Sequence, residues 1–196
     1  MHFVNHDKDW FFACLENKPL IEKLKKISLI ISDIDGCLTD GKVYYSSNTE
    51  IEKCFSIQDG FMMAKCNQKN MPHLALISGR SDKAAAKRAK ILNIPDELYY
   101  QGVDKNKSSA VKEIQTKLSV NIEETLFFGD DLLDLETKNS VGLFAAPSNA
   151  LFYIQDHADI IAPRSGGNGA LRTILDLLLY VQNKHIAHKS IETPII

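Results

Sequence analysis

Two carboxylates stand one residue apart directly after an apolar segment of this 196-residue chain. Residues 27–32 are typical of a buried strand in a parallel sheet, and Asp33, Asp35 and Gly36 follow that segment. In parallel sheets, ligands bind beyond the carboxyl ends of the strands. Because two neighbouring acids repel each other and lose hydration at such an edge, the pair indicates a bound cation.

A second group of polar residues suits a phosphoryl group. Ser78, Gly79 and Arg80 follow the strand predicted over residues 73–77, and a hydroxyl beside free backbone amides can bind a phosphate oxygen. Lys107 opens a predicted helix, where its ammonium can meet the same anion. These residue types predict a site for a phosphorylated substrate.

Acidic residues gather again after a later predicted strand. Asp130 and Asp131 follow residues 125–128, and Asp134 lies three residues after Asp131. Together with the first acidic pair, they form a set of oxygen ligands that suits Mg²⁺. The chemistry that this set predicts is phosphoryl transfer, in which one aspartate attacks phosphorus and a second carboxyl group moves the proton.

Composition and charge narrow the class of protein. The chain is 44% hydrophobic and 24% charged, with a net charge of −2, and this gives no support for nucleic acid or a membrane surface as the main partner. The four cysteines form no Cys-x-x-Cys pair, so we expect free thiols and a cytoplasmic protein. No apolar run approaches the roughly 20 residues of a membrane helix, and residues 1–9 lack the apolar core of a signal peptide.

Strand-like and helix-like segments alternate, which predicts a doubly wound, Rossmann-like α/β fold with a mostly parallel sheet. Short β-like runs at 42–46 and 51–57 predict a small β-hairpin insertion around a turn at 47–49. The expected parts are a helical extension over residues 1–26, a catalytic domain over 27–184 and a tail over 185–196.

Several helix starts are expected from short polar side chains, which accept hydrogen bonds from the first amides of a helix. A helix is predicted over residues 10–24 of the extension. Asp59 marks the start of a helix over 61–69, and Ser81 is the expected N-cap of a helix over 82–92.

The polar residues together resemble the four motifs of the haloacid dehalogenase superfamily of phosphatases. The matching residues are Asp33-x-Asp35-Gly36-x-x-Thr39, Ser78, Lys107 and Gly129-Asp130-Asp131. The resemblance implies that Asp33 is the nucleophile and Asp35 the general acid and base. It also implies that Ser78 and Lys107 hold the transferring phosphoryl group.

The resemblance further implies the ligands of the cofactor. Mg²⁺ would be bound by Asp33, the backbone carbonyl of Asp35 and Asp130. Asp131 or Asp134 would support this metal shell.

The spacing of the motifs resembles the capless subgroup of this superfamily. Residues 40–71 and 79–106 separate the first three motifs, and neither gap is long enough to add a folded cap domain. The site of a single chain would therefore be open to water, so we expect a neighbouring subunit to cover it in a homotetramer.

Further segments resemble capless members that act on phosphorylated sugar acids. These segments are 33–41, 57–60, 77–80, 100–102, 129–134 and 166–172. They imply 3-deoxy-D-manno-octulosonate 8-phosphate, a precursor of lipopolysaccharide, as the substrate. The residues expected to bind the substrate or its phosphate are Ser78, Gly79, Arg80, Thr39, Asp59, Gly60 and Arg172.

Three points stay open in the sequence. Lys105 rivals Lys107 as the phosphate lysine, because the chain carries one residue more than the family pattern before this helix. The 9-phosphate of a sialic-type acid is the alternative substrate, although Arg80 favours the eight-carbon sugar, since nine-carbon relatives often carry an acid there. Thr173 stands after Arg172 where the family usually has an acid.

Overall fold

A computed structural model describes residues 6–45 and 51–185 of the chain, with a parallel sheet at its centre. Within these residues the strands are β1 (Leu29–Ser32), β2 (Tyr44–Tyr45), β3 (Ile51–Glu52), β4 (His73–Ile77), β5 (Tyr99–Tyr100), β6 (Thr125–Phe128), β7 (Leu143–Ala146) and β8 (Ile160–Ile161). The α-helices are α1 (His6–Glu16), α2 (Lys18–Lys26), α3 (Ile57–Met63), α4 (Lys83–Ile91), α5 (Lys107–Leu118), α6 (Leu132–Leu135), α7 (Phe152–Gln155) and α8 (Ala170–Val181). None of the helices in the described ranges is long and apolar enough to cross a membrane.

Six strands pair in the order β5-β4-β1-β6-β7-β8, and every pairing is parallel. The strands β1, β6 and β7 are buried at every residue, as expected for strands covered on both faces. From β1 the chain adds strands on one side and then crosses to the other side with β6. A topological switch point therefore lies beside β1, and the predicted doubly wound α/β fold is confirmed.

The predicted hairpin is present as a separate two-stranded sheet. The strands β2 and β3 are antiparallel, with Tyr44 opposite Glu52 and Tyr45 opposite Ile51. The turn predicted at 47–49 lies outside the described residues. The first gap between motifs otherwise holds α3, and the second holds α4 and β5, so neither gap contains a cap domain in the described part of the chain.

The N-terminal segment forms two helices where the sequence predicts one over residues 10–24, and that prediction is wrong. The helices α1 and α2 meet at Asn17, whose side chain accepts a hydrogen bond from the amide of Leu20 and so caps a new helix. Trp10 Nε1 donates to the backbone oxygen of Ile161 at 2.7 Å. This contact fixes α1 against the edge strand β8.

Two predicted helix starts are displaced because a neighbouring side chain forms the cap. The helix expected over 61–69 is α3, which begins earlier because Ser56 Oγ accepts from the amide of Asp59 at 3.3 Å. The N-cap of α4 is Asp82 rather than Ser81, because the Asp82 carboxylate accepts a backbone amide of the first turn at 2.8 Å.

Asp59 lies inside α3 and caps a different helix. Its Oδ2 accepts from the amide of Gly169 at 3.2 Å and its Oδ1 from the amide of Arg172 at 2.7 Å, at the start of α8. Gly169 is the N-cap residue of α8 and has no side chain to serve this purpose. Burial raises the pKa of Asp59, while these hydrogen bonds oppose the increase. The carboxylate therefore joins α3 to α8.

We predict that Asp59→Ala lowers the free energy of unfolding by about 2 kcal/mol, because two amides of α8 lose their charged acceptor. Urea denaturation followed by circular dichroism measures the change. As a control, Asp156→Ala removes an exposed carboxylate and should alter the free energy of unfolding by less than about 0.5 kcal/mol. Unchanged stability of Asp59→Ala would contradict the capping role.

Candidate active site

Three loops meet at the carboxyl edge of the sheet because β1 lies between β4 and β6. The register places Ser32, the last residue of β1, beside Leu76 and Phe128. Asp33 continues the pairing by donating its amide to the oxygen of Phe128 at 2.9 Å. A cavity of about 200 Å³ lies at this edge. Its walls are formed by Asp33, Asp35, Gly79, Arg80, Lys107, Asp130, Asp131, Leu133 and Asp134.

Lys107 binds two carboxylates inside this cavity. Its Nζ lies 2.6 Å from Oδ1 of Asp33 and 2.6 Å from Oδ1 of Asp134. The lysine is the first residue of α5, and its backbone amide donates to Glu136 at 2.6 Å. Lys105 is exposed and is not part of the cavity wall. Of the two lysines left open by the sequence, Lys107 is the one beside Asp33.

Asp134 organises the loop that follows β6. While its Oδ1 meets Lys107, its Oδ2 accepts from the amides of Asp130 at 2.9 Å and Asp131 at 3.2 Å. Asp131 is exposed, and its side chain accepts from the amide of Leu132 at 2.7 Å at the start of α6. One buried carboxylate thus fixes both the lysine and the loop that presents Asp130.

The loop after β1 approaches Asp130 so closely that only glycine fits. Gly36 has a φ of 91°, and a Cβ there would lie 2.0 Å from Oδ2 of Asp130. On the other side, a Cβ on Gly166 would lie 1.8 Å from the backbone oxygen of Gly36. The Asn149 side chain donates to that oxygen at 3.2 Å and accepts from the amide of Gly166 at 2.6 Å. The glycine-rich segment before α8 therefore braces the loop that carries the first two carboxylates.

Negative charge accumulates in the cavity. Burial, followed by the charge of Asp134, raises the pKa of Asp33 well above its usual range, against the opposing effect of Lys107. Burial and Asp134 likewise raise the pKa of Asp130 to about 7. Burial by itself would lower the pKa of Lys107, but Asp33 and Asp134 outweigh it and raise that pKa. Three clustered carboxylates around one ammonium leave an excess of negative charge that a cation would neutralise.

The donor atoms around this charge fit Mg²⁺. Ligand atoms of Asp33, Cys37 and Asp130 all lie within 4.8 Å of one another. Burial, followed by the charge of Asp130, raises the pKa of the Cys37 thiol well above its usual range, so the thiol keeps its proton and is a poor ligand. The carboxylate oxygens that remain are the hard ligands that Mg²⁺ prefers.

The loop after β4 brings a hydroxyl group to Asp35. Ser78 Oγ lies 3.4 Å from Oδ2 of Asp35 and accepts from the amide of Arg80 at 3.1 Å. Gly79 lines the cavity, and Arg80 is exposed at its wall. The hydroxyl of Ser78 thus lies beside a carboxylate of the cavity wall, and Gly79 and Arg80 form part of that wall.

Thr39, Asp59 and Gly60 lie away from the cavity wall, although the sequence assigns them to substrate binding. Thr39 Oγ1 accepts from the amides of Gly36 and Gly41, each at 3.3 Å, and so stabilises the loop after β1. Asp59 caps α8, and a Cβ on Gly60 would lie 2.2 Å from a guanidinium nitrogen of α4. In this chain, the three residues support elements around the cavity.

Arg172 also lies outside the cavity. Its Nε donates to both carboxylate oxygens of Asp176 at 2.7 Å, and its guanidinium lies 5.4 Å from the centre of the Phe61 ring. The residue lines a second cavity, which it shares with Asp7 and Arg164. The structure does not bring Arg172 together with the carboxylates of the first cavity.

Lys53 is a functional candidate that no motif indicated. Its Nζ lies 2.6 Å from Oδ1 of Asp35, and its side chain is fully shielded from solvent. The lysine follows β3, so its position depends on the path of the hairpin. Sequence spacing does not specify that path, and no signal in the sequence pointed to this contact.

We predict that Mg²⁺ binding weakens about tenfold between about pH 8 and about pH 6, because metal ligands must lose their protons and the pKa of Asp130 is about 7. Isothermal titration calorimetry at constant ionic strength measures the affinity. The raised pKa of Asp130 also affects the metal-free protein. Its free energy of unfolding should increase as the pH falls through this range, because Asp130 takes up a proton in the folded state but not in the unfolded state. An affinity that stays constant over this range would contradict the prediction.

The chain is similar to known phosphatases along most of its length. Residues 97–174 match the family of haloacid dehalogenase-like hydrolases. A 3-deoxy-D-manno-octulosonate 8-phosphate phosphatase of Escherichia coli is 36% identical over 165 residues, which cover 84% of this chain and 86% of that protein.

Solved structures of such phosphatases have the same fold. The Moraxella catarrhalis enzyme, in complex with a magnesium ion, a phosphate ion and a KDO molecule, matches with a TM-score of 0.82 at 32% identity, covering 90% of this chain and 99% of that one. The cobalt-bound Haemophilus influenzae enzyme matches with a TM-score of 0.77 at 31% identity, covering 84% of this chain and 94% of that one. The chain therefore belongs to the family of 3-deoxy-D-manno-octulosonate 8-phosphate phosphatases, within the haloacid dehalogenase-like hydrolases.

Proposed function

We propose that this protein hydrolyses 3-deoxy-D-manno-octulosonate 8-phosphate to the free sugar acid and inorganic phosphate, with Mg²⁺ as its cofactor. The observation that carries the proposal is the buried contact of Lys107 with Asp33, in a cavity that Asp130 also lines. A chain 36% identical to a phosphatase for this substrate supports the assignment. The reaction would supply lipopolysaccharide synthesis, and we propose that it takes place in the cytoplasm.

In the first step, a carboxylate oxygen of Asp33 forms a bond to phosphorus while the bond from phosphorus to the sugar oxygen breaks. The product on the protein is an aspartyl-phosphate. Lys107 and Ser78 would hold the phosphoryl oxygens, with the backbone amides of the loop after β4. Because Lys107 already touches Asp33, nucleophile and phosphoryl group would meet at the same ammonium.

The cofactor would be held by Asp33, the backbone carbonyl of Asp35 and Asp130, with Asp131 or Asp134 in support. When bound, Mg²⁺ supplies the positive charge that reduces repulsion between a carboxylate and a phosphate dianion. The raised pKa values of Asp33 and Asp130 support this arrangement, because they show how unfavourable the uncompensated charges are.

Asp35 would move the proton in both steps. Its carboxyl group donates a proton to the leaving sugar oxygen, and the resulting carboxylate then takes a proton from the water that hydrolyses the aspartyl-phosphate. Its side chain is partly exposed at the cavity, which supports contact with both the leaving group and the water.

The 9-phosphate of an N-acylneuraminate is the alternative substrate. Arg80, which is exposed at the cavity wall, supports the eight-carbon sugar, because relatives that act on nine-carbon sugars often carry an acid at this position. Both substrates carry a carboxylate, so the test compares them directly.

A homotetramer is part of this proposal, with neighbouring subunits covering the open cavity. The hairpin supports an interface of this kind, because Tyr45 is 73% exposed and Tyr44 is 47% exposed. We further propose that residues 1–26 are an extension, that 27–184 form the phosphatase domain and that 185–196 are a separate tail.

We predict Mg²⁺-dependent phosphate release from 3-deoxy-D-manno-octulosonate 8-phosphate, at least about tenfold faster in kcat/KM than from N-acetylneuraminate 9-phosphate. The two sugars are assayed side by side, and EDTA should abolish release from both. Preference for the nine-carbon sugar would assign the alternative substrate. Release that persists in EDTA or in Asp33→Asn would contradict the proposed chemistry.

We predict that Lys107→Met lowers kcat by about 100- to 1000-fold, because the phosphoryl group loses a buried cation. Lys105→Met is the matched control: it removes an exposed ammonium two residues away and should leave kcat within about twofold. Phosphate release at saturating substrate measures both. Comparable losses in the two variants would contradict the assignment of Lys107.

A further inference from the structure

A lysine from the hairpin is buried between two acidic groups beside the cavity. Lys53 directly follows β3, and its Nζ lies 2.6 Å from Oδ1 of Asp35 and 2.5 Å from Oδ2 of Asp82. The Lys53 side chain has no exposed surface, and that of Asp82 is 4% exposed. Burying an ammonium is costly unless it is paired, so both carboxylates are needed to hold it there.

Each carboxylate in this arrangement is also bound on its other oxygen. Asp82 Oδ1 accepts from the amide of Ala85 and so caps α4, which follows the loop of Ser78. Asp35 Oδ2 lies 3.4 Å from Ser78 Oγ. Lys53 therefore connects the hairpin to the loops after β1 and β4.

The two oxygens of Asp35 differ in their surroundings. Oδ1 is buried and accepts no hydrogen bond from the described residues, while the ammonium of Lys53 compensates its charge at 2.6 Å. The side chain as a whole is 22% exposed and lines the cavity, so its solvent contact comes from atoms other than Oδ1. Of the two oxygens, Oδ2 is thus the one that a substrate could reach, where it would compete with the long contact from Ser78 Oγ.

We propose that Lys53 is a positioning residue for the general acid. Its ammonium holds Asp35 through Oδ1, so that Oδ2 faces the oxygen of the leaving sugar. The inference rests on the proposed function, in which Asp35 donates this proton.

Lys53 is not altered when the phosphoryl group is transferred to Asp33. A bond forms between Asp33 and phosphorus, the bond from phosphorus to the sugar oxygen breaks, and the proton passes from Asp35 Oδ2 to that oxygen. Lys53 keeps its protons throughout. Its contribution therefore depends on whether the leaving group needs a proton.

The test compares a sugar phosphate with p-nitrophenyl phosphate, whose leaving group departs without a proton because nitrophenolate is a weak base. The quantity measured is kcat/KM, which reports the steps up to release of the leaving group and excludes the later hydrolysis of the aspartyl-phosphate. Both substrates are assayed on one preparation, so the ratio of the two values does not depend on the fraction of folded protein.

For Lys53→Met, we expect kcat/KM to fall about 100-fold with 3-deoxy-D-manno-octulosonate 8-phosphate and less than about threefold with p-nitrophenyl phosphate. Lys53→Arg, which restores the charge, should recover most of the loss. Equal losses of kcat/KM with both substrates would indicate a structural role for Lys53 and overturn the inference. Unchanged kcat/KM with both substrates would also overturn it. If Lys53→Met does not fold, Lys53→Gln keeps a hydrogen-bond donor without the charge and serves the same comparison.

Lys87→Met is the matched control, since it removes an exposed ammonium from the helix that Asp82 caps and should leave both values unchanged.

In Asp35→Asn, a further Lys53→Met change should cause no additional loss with the sugar phosphate, because the two residues act as one unit. Additive losses would overturn the inference. If the unsubstituted protein hydrolyses neither phosphate with Mg²⁺, the proposed function itself fails, and this outcome is distinct from a failure at Lys53.

Discussion

The ammonium of Lys107 lies between the buried carboxylates of Asp33 and Asp134, and the rest of the site depends on this contact. Removing one member of a buried ion pair leaves an uncompensated charge, so the three side chains must be present together. They follow β1, open α5 and follow β6, which are distant in sequence. The strand order brings Asp33 and Asp134 together, because β1 lies beside β6 and their carboxyl ends form one edge, and Lys107 reaches the same edge from the start of α5, which follows β5.

The same edge holds more negative charge than Lys107 can balance, and the backbone keeps that charge in place. Gly36 lets the loop after β1 approach Asp130. The glycine-rich segment before α8 packs against the other side of this loop and keeps it close to Asp130. Asp59 anchors the start of α8 and so supports that segment from behind. These contacts hold carboxylates at distances where they repel one another, and a divalent cation is the natural complement.

The hairpin lies in the gap after the first motif, and its residues differ in their surroundings. One residue after β3, the buried Lys53 reaches Asp35, while Tyr44 and Tyr45 on β2 are exposed. In the proposed oligomer, the exposed tyrosines of β2 would meet a neighbouring chain, and in the proposed mechanism the buried lysine would hold the proton donor. The insertion would thereby link assembly to the geometry of one catalytic group.

The sequence by itself determined the fold class and the central acids, because apolar strands that end in polar loops follow from local pattern and need no knowledge of distant contacts. It also predicts that Lys107 opens α5, but only the folded structure places the ammonium of Lys107 beside Asp33 and leaves Lys105 exposed. Thr39 and Asp59 belong to recognisable motifs, yet their hydrogen bonds go to a loop and to another helix. Lys53 reaches Asp35 only through the folded hairpin. Where a side chain points and which residue it contacts are decided by tertiary packing, because they depend on the positions of elements that are distant in sequence.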